Sequence, residues 1–192
     1  MGSEWIIVID ASGSGGFESS RHLIEEIPQD IDAVVLIALH RPRDHPSELW
    51  KSFAASCAMP IVIANEGCRL VPGVAHVGDP GVLLRLVEKQ FSLKRKREPQ
   101  NGGDPTVELL FRSVADAGRQ HTVAVVLADV LAHSRGLAAI RQAGGSAMVM
   151  CSLSFREQER FESTTISGEL MTVVGNGKAL ATAIRHLISS QA

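Results

Sequence analysis

The chain has 192 residues, a formal net charge of −2 and 45% hydrophobic residues, enough for one well-packed core and short for two. So little net charge gives no global field for nucleic acid. The longest apolar run, residues 33–39, falls far short of the ~18–20 residues that span a bilayer. The N-terminus lacks the basic region and apolar core of a secretory signal. The three cysteines (Cys57, Cys68, Cys151) are odd in number and form no Cys-x-x-Cys pair. They suit a reducing cytoplasm and argue against a disulfide framework or a structural zinc. The expectation is a cytoplasmic α/β domain without membrane insertion.

Residues 5–9 form a continuous apolar run that ends in "VIDASGSGG", which predicts a buried strand followed by a glycine-rich turn. Leu23, Ile24 and Ile27 then recur at helical spacing until Pro28 stops them. Residues 33–39, "AVVLIAL", are apolar on both alternations, as in a strand covered on both faces. Ser47 is placed as an N-cap for a helix carrying Leu49, Trp50, Phe53 and Cys57 on one face. A short strand follows at 60–64. Runs at 74–77 and 82–87 flank "GDPG", which predicts a hairpin between them. Residues 92–104, "SLKRKREPQNGGD", are polar and rich in breakers, so an exposed loop is expected there. Asp104 and Pro105 open a helix with Val107, Leu110, Phe111 and Val114 on one face, closed by Gly118. Strands at 122–127, 147–150 and 170–174 alternate with helices at 136–143 and 178–188. This alternation predicts a doubly wound, mainly parallel sheet with a β-hairpin insertion.

The glycine-rich turn admits three readings. It could be a plain tight turn, a phosphate cradle or a nucleophile turn. A dinucleotide site needs a third glycine in register, where Phe17 and Glu18 stand, and a Walker-type loop needs Gly-Lys-Ser/Thr. For the nucleophile reading, Ser12 ends the first strand, His40 the second, and Asp129 lies just beyond 122–127. A parallel sheet gathers those three ends at one edge. There His40 could take the serine proton, Asp129 fix the tautomer, and the Gly13 and Ser14 N–H groups receive the oxyanion.

The quoted turn, "LHRP" at 39–42, "MPIVIANEGCRLVPG", "DPTVELLFRSVADAG" and "VAVVLADVLAHSRGLAAIRQAGG" occur in the order and spacing of one known family. On these segments the chain resembles the CheB-type chemotaxis methylesterase domain over nearly its full length. The resemblance implies that family's fold, carried by one domain over 1–192; the receiver domain the family usually carries ahead of it is not expected in this chain, whose first sheet strand is expected to start at Trp5. It implies hydrolysis of glutamyl methyl esters, and deamidation of glutamines, on the cytoplasmic helices of chemoreceptors. The expected mechanism is a Ser-His-Asp triad with no metal or organic cofactor.

The departures fall on the chemistry. Counting back from Gly15 and Gly16 places the family's nucleophile on Gly13, so Ser12 takes that role only with one inserted residue. His40 matches its family position. The family's Gly-Met-Gly-x-Asp-Gly loop here reads "ADVLAHSRG", where the catalytic acid falls on His133 or Ala132 and Asp129 is the sole acid. These changes imply an activity that is weak or lost. The alternative is a catalytically inactive binding partner of receptors or other chemosensory signalling proteins.

Overall fold

The structure, a computed structural model, describes residues 5–11, 16–38, 49–79, 82–88, 90–95, 105–127, 134–150, 172–174 and 176–190. Seven strands form one sheet: β1 (Trp5–Asp10), β2 (Ala33–Ala38), β3 (Ile61–Ile63), β4 (Ala75–Val77), β7 (Thr122–Val126), β8 (Ser146–Met150) and β9 (Thr172–Val174). Their order is β3-β4-β2-β1-β7-β8-β9, and every pairing is parallel. All six residues of β1 and all six of β2 are buried. Apolar runs without alternation therefore become central strands because both faces of this sheet are covered.

The two covers differ. Trp5, Ile7 and Ile9 meet Leu23 and Ile24 of α1 (Gly16–Glu26) and Leu180, Ile184 and Ile188 of α5 (Gly177–Ser190). Ile6 and Val8 face α3 (Thr106–Gly118), α4 (Ser134–Gln142) and a separate hairpin. The α3 positions expected from spacing, Val107, Leu110, Phe111 and Val114, are all fully buried. The remaining helix, α2 (Leu49–Ser56), leads into β3.

The hairpin lies one strand later than the sequence suggests. Residues 75–77 are β4, inside the parallel sheet between β2 and β3. The antiparallel pair is β5 (Val82–Val87) with β6 (Gln90–Arg95). Residues 92–95 of the expected exposed loop are therefore strand, with Ser92 opposite Arg85 and Leu93 opposite Leu84. The rest of that loop, 96–104, lies outside the described residues. Leu84, Leu86 and Phe91 give the hairpin an apolar face. Ser113 of α3 fastens it: its Oγ accepts the Leu86 N–H at 2.9 Å and donates to the Leu110 carbonyl at 2.9 Å.

Candidate active site

The ladder of the sheet continues one residue past β1 and β7, on either side of the β1 register. Asp10 is in register with Ala38 on one side and Val126 on the other. The Ala11 N–H donates to the Ala38 carbonyl at 2.9 Å, and the Leu127 N–H to the Asp10 carbonyl at 3.2 Å. Ser12 follows Ala11, His40 lies two residues after Ala38, and Asp129 two after Leu127. Ser12, Gly13, Ser14, His40 and Asp129 themselves lie outside the described residues. The three strands that precede them thus end side by side, at one height, on the carboxyl edge of the sheet, where open α/β sheets place their ligands.

Two close contacts fix the far ends of the segments after β1 and β7. The chain resumes at Gly16, the first residue of α1. A Cβ there would lie 2.6 Å from both the carbonyl carbon and the oxygen of Ala11. Only a residue without a side chain lets the helix start this close to the end of β1. Gly16→Ala is accordingly expected to lower stability by about 1–3 kcal/mol, since the obstructing atoms are backbone. The check is a lower urea midpoint with an unchanged slope. The segment after β7 ends at α4, whose Gly136 N–H donates to Glu108 Oε2 at 2.7 Å. A negative group on a free N–H of a first helical turn is favourable both as a charge-assisted bond and against the helix dipole. Arg112 Nε stands 3.5 Å from the other Glu108 oxygen. A Cβ at Gly136 would meet Phe111 Cβ at 2.8 Å, so α3 and α4 touch at this point.

Two buried polar side chains escaped the sequence reading. Asp10 is fully buried at the end of β1, on the face of Ile6 and Val8. Its signal was a charged residue closing an otherwise apolar strand. His76 is 3% exposed within β4, and its ring lies 5.0 Å from that of Phe91. Neither of its ring nitrogens has a hydrogen-bond partner among the described residues. Burial lowers its pKa from 6.5 to about 4, so the ring is neutral at physiological pH. Burial pushes the Cys57 thiol up, away from thiolate chemistry, and it packs against the α1/α5 core as a small apolar group.

Among the described residues no group of three or more His, Cys, Asp and Glu side chains could hold a metal ion. No described helix is long and apolar enough to cross a membrane.

Comparison with known proteins matches this architecture to one family. The protein-glutamate methylesterase/protein-glutamine glutaminase of Salmonella typhimurium is 30% identical over 148 residues, covering 75% of this chain and 42% of the relative. The protein of the same name from Bordetella parapertussis is 29% identical over 151 residues, covering 76% of this chain and 43% of the relative. The chain therefore spans less than half the length of these curated relatives. The crystal structure of the Thermotoga maritima CheB methylesterase catalytic domain superposes with a TM-score of 0.73 at 19% identity. That superposition covers 98% of this chain and 100% of the other, and it speaks for the fold. The family model described as CheB methylesterase matches residues 7–155, which include the central strands and all three segments at the carboxyl edge; the chain belongs to the CheB methylesterase family.

Proposed function

We propose that this protein hydrolyses glutamyl methyl esters on the cytoplasmic helices of chemoreceptors, with Ser12 as nucleophile and His40 as base. The observation that carries this reading is the departure of the Ser12, His40 and Asp129 segments from three neighbouring, hydrogen-bonded strand ends. The names of the relatives, protein-glutamate methylesterase/protein-glutamine glutaminase, supply the substrate class.

In this reading Ser12 Oγ attacks the ester carbonyl carbon while its proton passes to His40. The Gly13 and Ser14 N–H groups receive the oxyanion. Collapse of the tetrahedral species breaks the ester C–O bond, and the methoxide leaves as methanol with the proton from His40. Water, deprotonated by His40, then releases the glutamate carboxylate and returns the proton to Ser12. An acid at the same edge holds the His40 tautomer, and Asp129 is the acid of the segment after β7. A glutamine side chain would follow the same route, releasing ammonia.

Turnover is expected below that of the relatives. The loop after β7 lacks the glycines of the Gly-Met-Gly-x-Asp-Gly pattern, and loss of a single oxyanion donor costs about 10²–10³ in rate. The test is methanol release from methylated receptor fragments by the folded protein. Release above the buffer background supports the esterase. Release indistinguishable from background overturns it for this substrate and leaves the receptor-binding role, read as retention of the fragments without turnover.

A further inference from the structure

We infer that the outward face of the β5–β6 hairpin, where Arg69, Arg85 and Lys94 surround Val87, is a docking strip for a carboxylate-bearing amphipathic helix of a partner protein. It rests on the reading above only in taking that helix to be the receptor segment whose esters are hydrolysed.

Charge along the chain is segregated. Residues 85–97 hold six Lys and Arg and one Glu, a net of +5. Against a total of −2, the rest of the chain sums to −7. A basic block in an otherwise acidic chain points to a partner of negative charge. Part of this block lies on a folded surface, because Lys94 belongs to β6.

Register fixes the face. Opposite residues of an antiparallel pair share one side, and successive residues alternate. Leu84, Leu86 and Phe91 are buried in the core, so Leu83, Arg85 and Val87 point outward with their partners Lys94, Ser92 and Gln90. Arg69 stands opposite Gln90 in an antiparallel bridge and joins the same side. Arg69, Arg85 and Lys94 are exposed, and none forms an ion pair with another of the described residues. Uncompensated like charges on one face do not help a sheet to form. Val87 is 46% exposed, one of three large apolar side chains left so among the described residues. The frame beneath is fixed: Ser113 accepts the Leu86 N–H, Glu66 the Leu93 N–H and the Cys68 carbonyl the Phe91 N–H. Such a surface loses little freedom on binding.

The spacing fits a helix. Arg85 and Lys94 are diagonal neighbours, about 7–8 Å apart. Arg69 lies two strand spacings across and two residues along from Arg85, roughly 12 Å away. Carboxylates one and two turns apart on a helix are about 6 and 11–12 Å from each other. Glutamates along one helix face therefore meet these cations while an apolar neighbour covers Val87. A larger polyanion, RNA or a lipid surface, would also meet the rest of the chain at −7. RNA would find no stacking platform on the hairpin, since Phe91 is 1% exposed and faces inward.

The strip also leads toward the candidate site. Residues 64–73 run from the carboxyl end of β4, where the Ala64 N–H meets the Val77 carbonyl, to the amino end of β2, where the Gly73 N–H meets the Ala33 carbonyl. Leu93 is tied to Glu66 and Phe91 to Cys68 along that run. The Lys94 end of the strip is thus the one nearer the carboxyl edge.

The test is binding, read by fluorescence anisotropy on the whole protein. The probe is a labelled helical peptide with glutamates at i, i+4 and i+8 beside leucines, set against its glutamine counterpart and a single-stranded RNA. The glutamate peptide is expected to bind about tenfold or more tighter than the glutamine one, and less tightly as salt is raised. Arg85→Glu/Lys94→Glu is expected to weaken it by about tenfold or more. Arg85→Gln/Lys94→Gln should fall between, and it carries the test if reversal disturbs the hairpin. Lys178→Glu/Arg185→Glu, exposed on α5 across the sheet, should change binding by less than about twofold. Equal binding of the two peptides, equal loss in the α5 pair, or preference for RNA overturns the inference.

Methanol release separates this from the esterase reading. Where release occurs, the hairpin reversal is expected to raise KM for receptor fragments about tenfold with kcat within about twofold. An unchanged KM overturns the strip and leaves the esterase standing. Where wild type releases none, the esterase fails and the anisotropy measurements decide the strip alone.

Discussion

Ser12→Ala is expected to bring methanol release down to the buffer background while leaving the thermal midpoint unchanged. In a serine hydrolase the nucleophile acts as a unit with its base, and removing it alone costs as much as removing the whole triad, on the order of 10⁶ in turnover. Even if the altered loop after β7 has already taken away about 10²–10³ through a lost oxyanion donor, the remaining serine-dependent rate lies well above what the variant can sustain. The paired variant Ser14→Ala distinguishes the two serines of the turn. Equal loss in both would point to a disturbed turn, and loss in Ser14→Ala alone would transfer the role to Ser14. Stability should not move with Ser12→Ala, because the change deletes one oxygen beyond the ladder that ends at Ala11.

Acid should unfold this protein earlier than a variant carrying an apolar residue at position 76. The sign follows from proton binding. His76 has a folded pKa of about 4, whereas an unfolded histidine titrates near 6.5, so between these values the unfolded chain binds the extra proton. Stability is complete above about pH 6.5, falls by up to about 1.4 kcal/mol per pH unit as acid is added, and levels off below pH 4, a loss of about 3 kcal/mol. His76→Leu removes the titrating group and is expected to flatten this part of the stability profile. At neutral pH the variant should be equal to or more stable than the parent. It replaces a ring whose nitrogens lack partners among the described residues by an apolar side chain. Urea unfolding of both proteins from pH 4 to 7 reads the difference. Parallel profiles would show that folding does not lower the His76 pKa.

The sequence made the layers of the fold visible and concealed its wiring. A continuous apolar run as short as "AVVLIAL" fits a strand covered on both faces, and the spacing of Val107, Leu110, Phe111 and Val114 fits one buried face of a helix. Strand order was not visible, because nothing local in residues 75–77 says that they insert between β2 and β3. The hairpin was misplaced for a physical reason. "GDPG" carries strong turn residues yet joins β4 to β5, which lie in different sheets. The actual reversal passes through Glu88 at a φ of 48°, a left-handed conformation that a turn signal based on glycine and asparagine does not mark. Tertiary packing on Ser113 and Phe111 holds the pair where local preference would not.

The candidate site was legible in a similar, partial way. Parallel strands must gather their carboxyl ends, so Ser12, His40 and Asp129 could be grouped from position alone. Asp10 was not found because strand assignment absorbs a single charged residue at a strand's end as the start of the turn. Only burial and register show it inside the core, level with Ala38 and Val126. His76 was overlooked for the same reason, as one polar letter in an apolar run.

The central position of β1 also sets the order in which the molecule can be built. Its β2 edge is complete within the first forty residues, but its other edge pairs with Thr122 and the residues after it, more than a hundred positions later. At synthesis rates of about 5–20 residues per second, β1 waits several seconds or more for β7 to be made. Closing so long a loop before any pairing rewards it makes this the slow step of folding, and leaves an apolar strand edge open meanwhile. The first part of the site to be translated is therefore the last to be completed. A nascent chain halted before residue 122 should engage chaperones through the bare flank of β1.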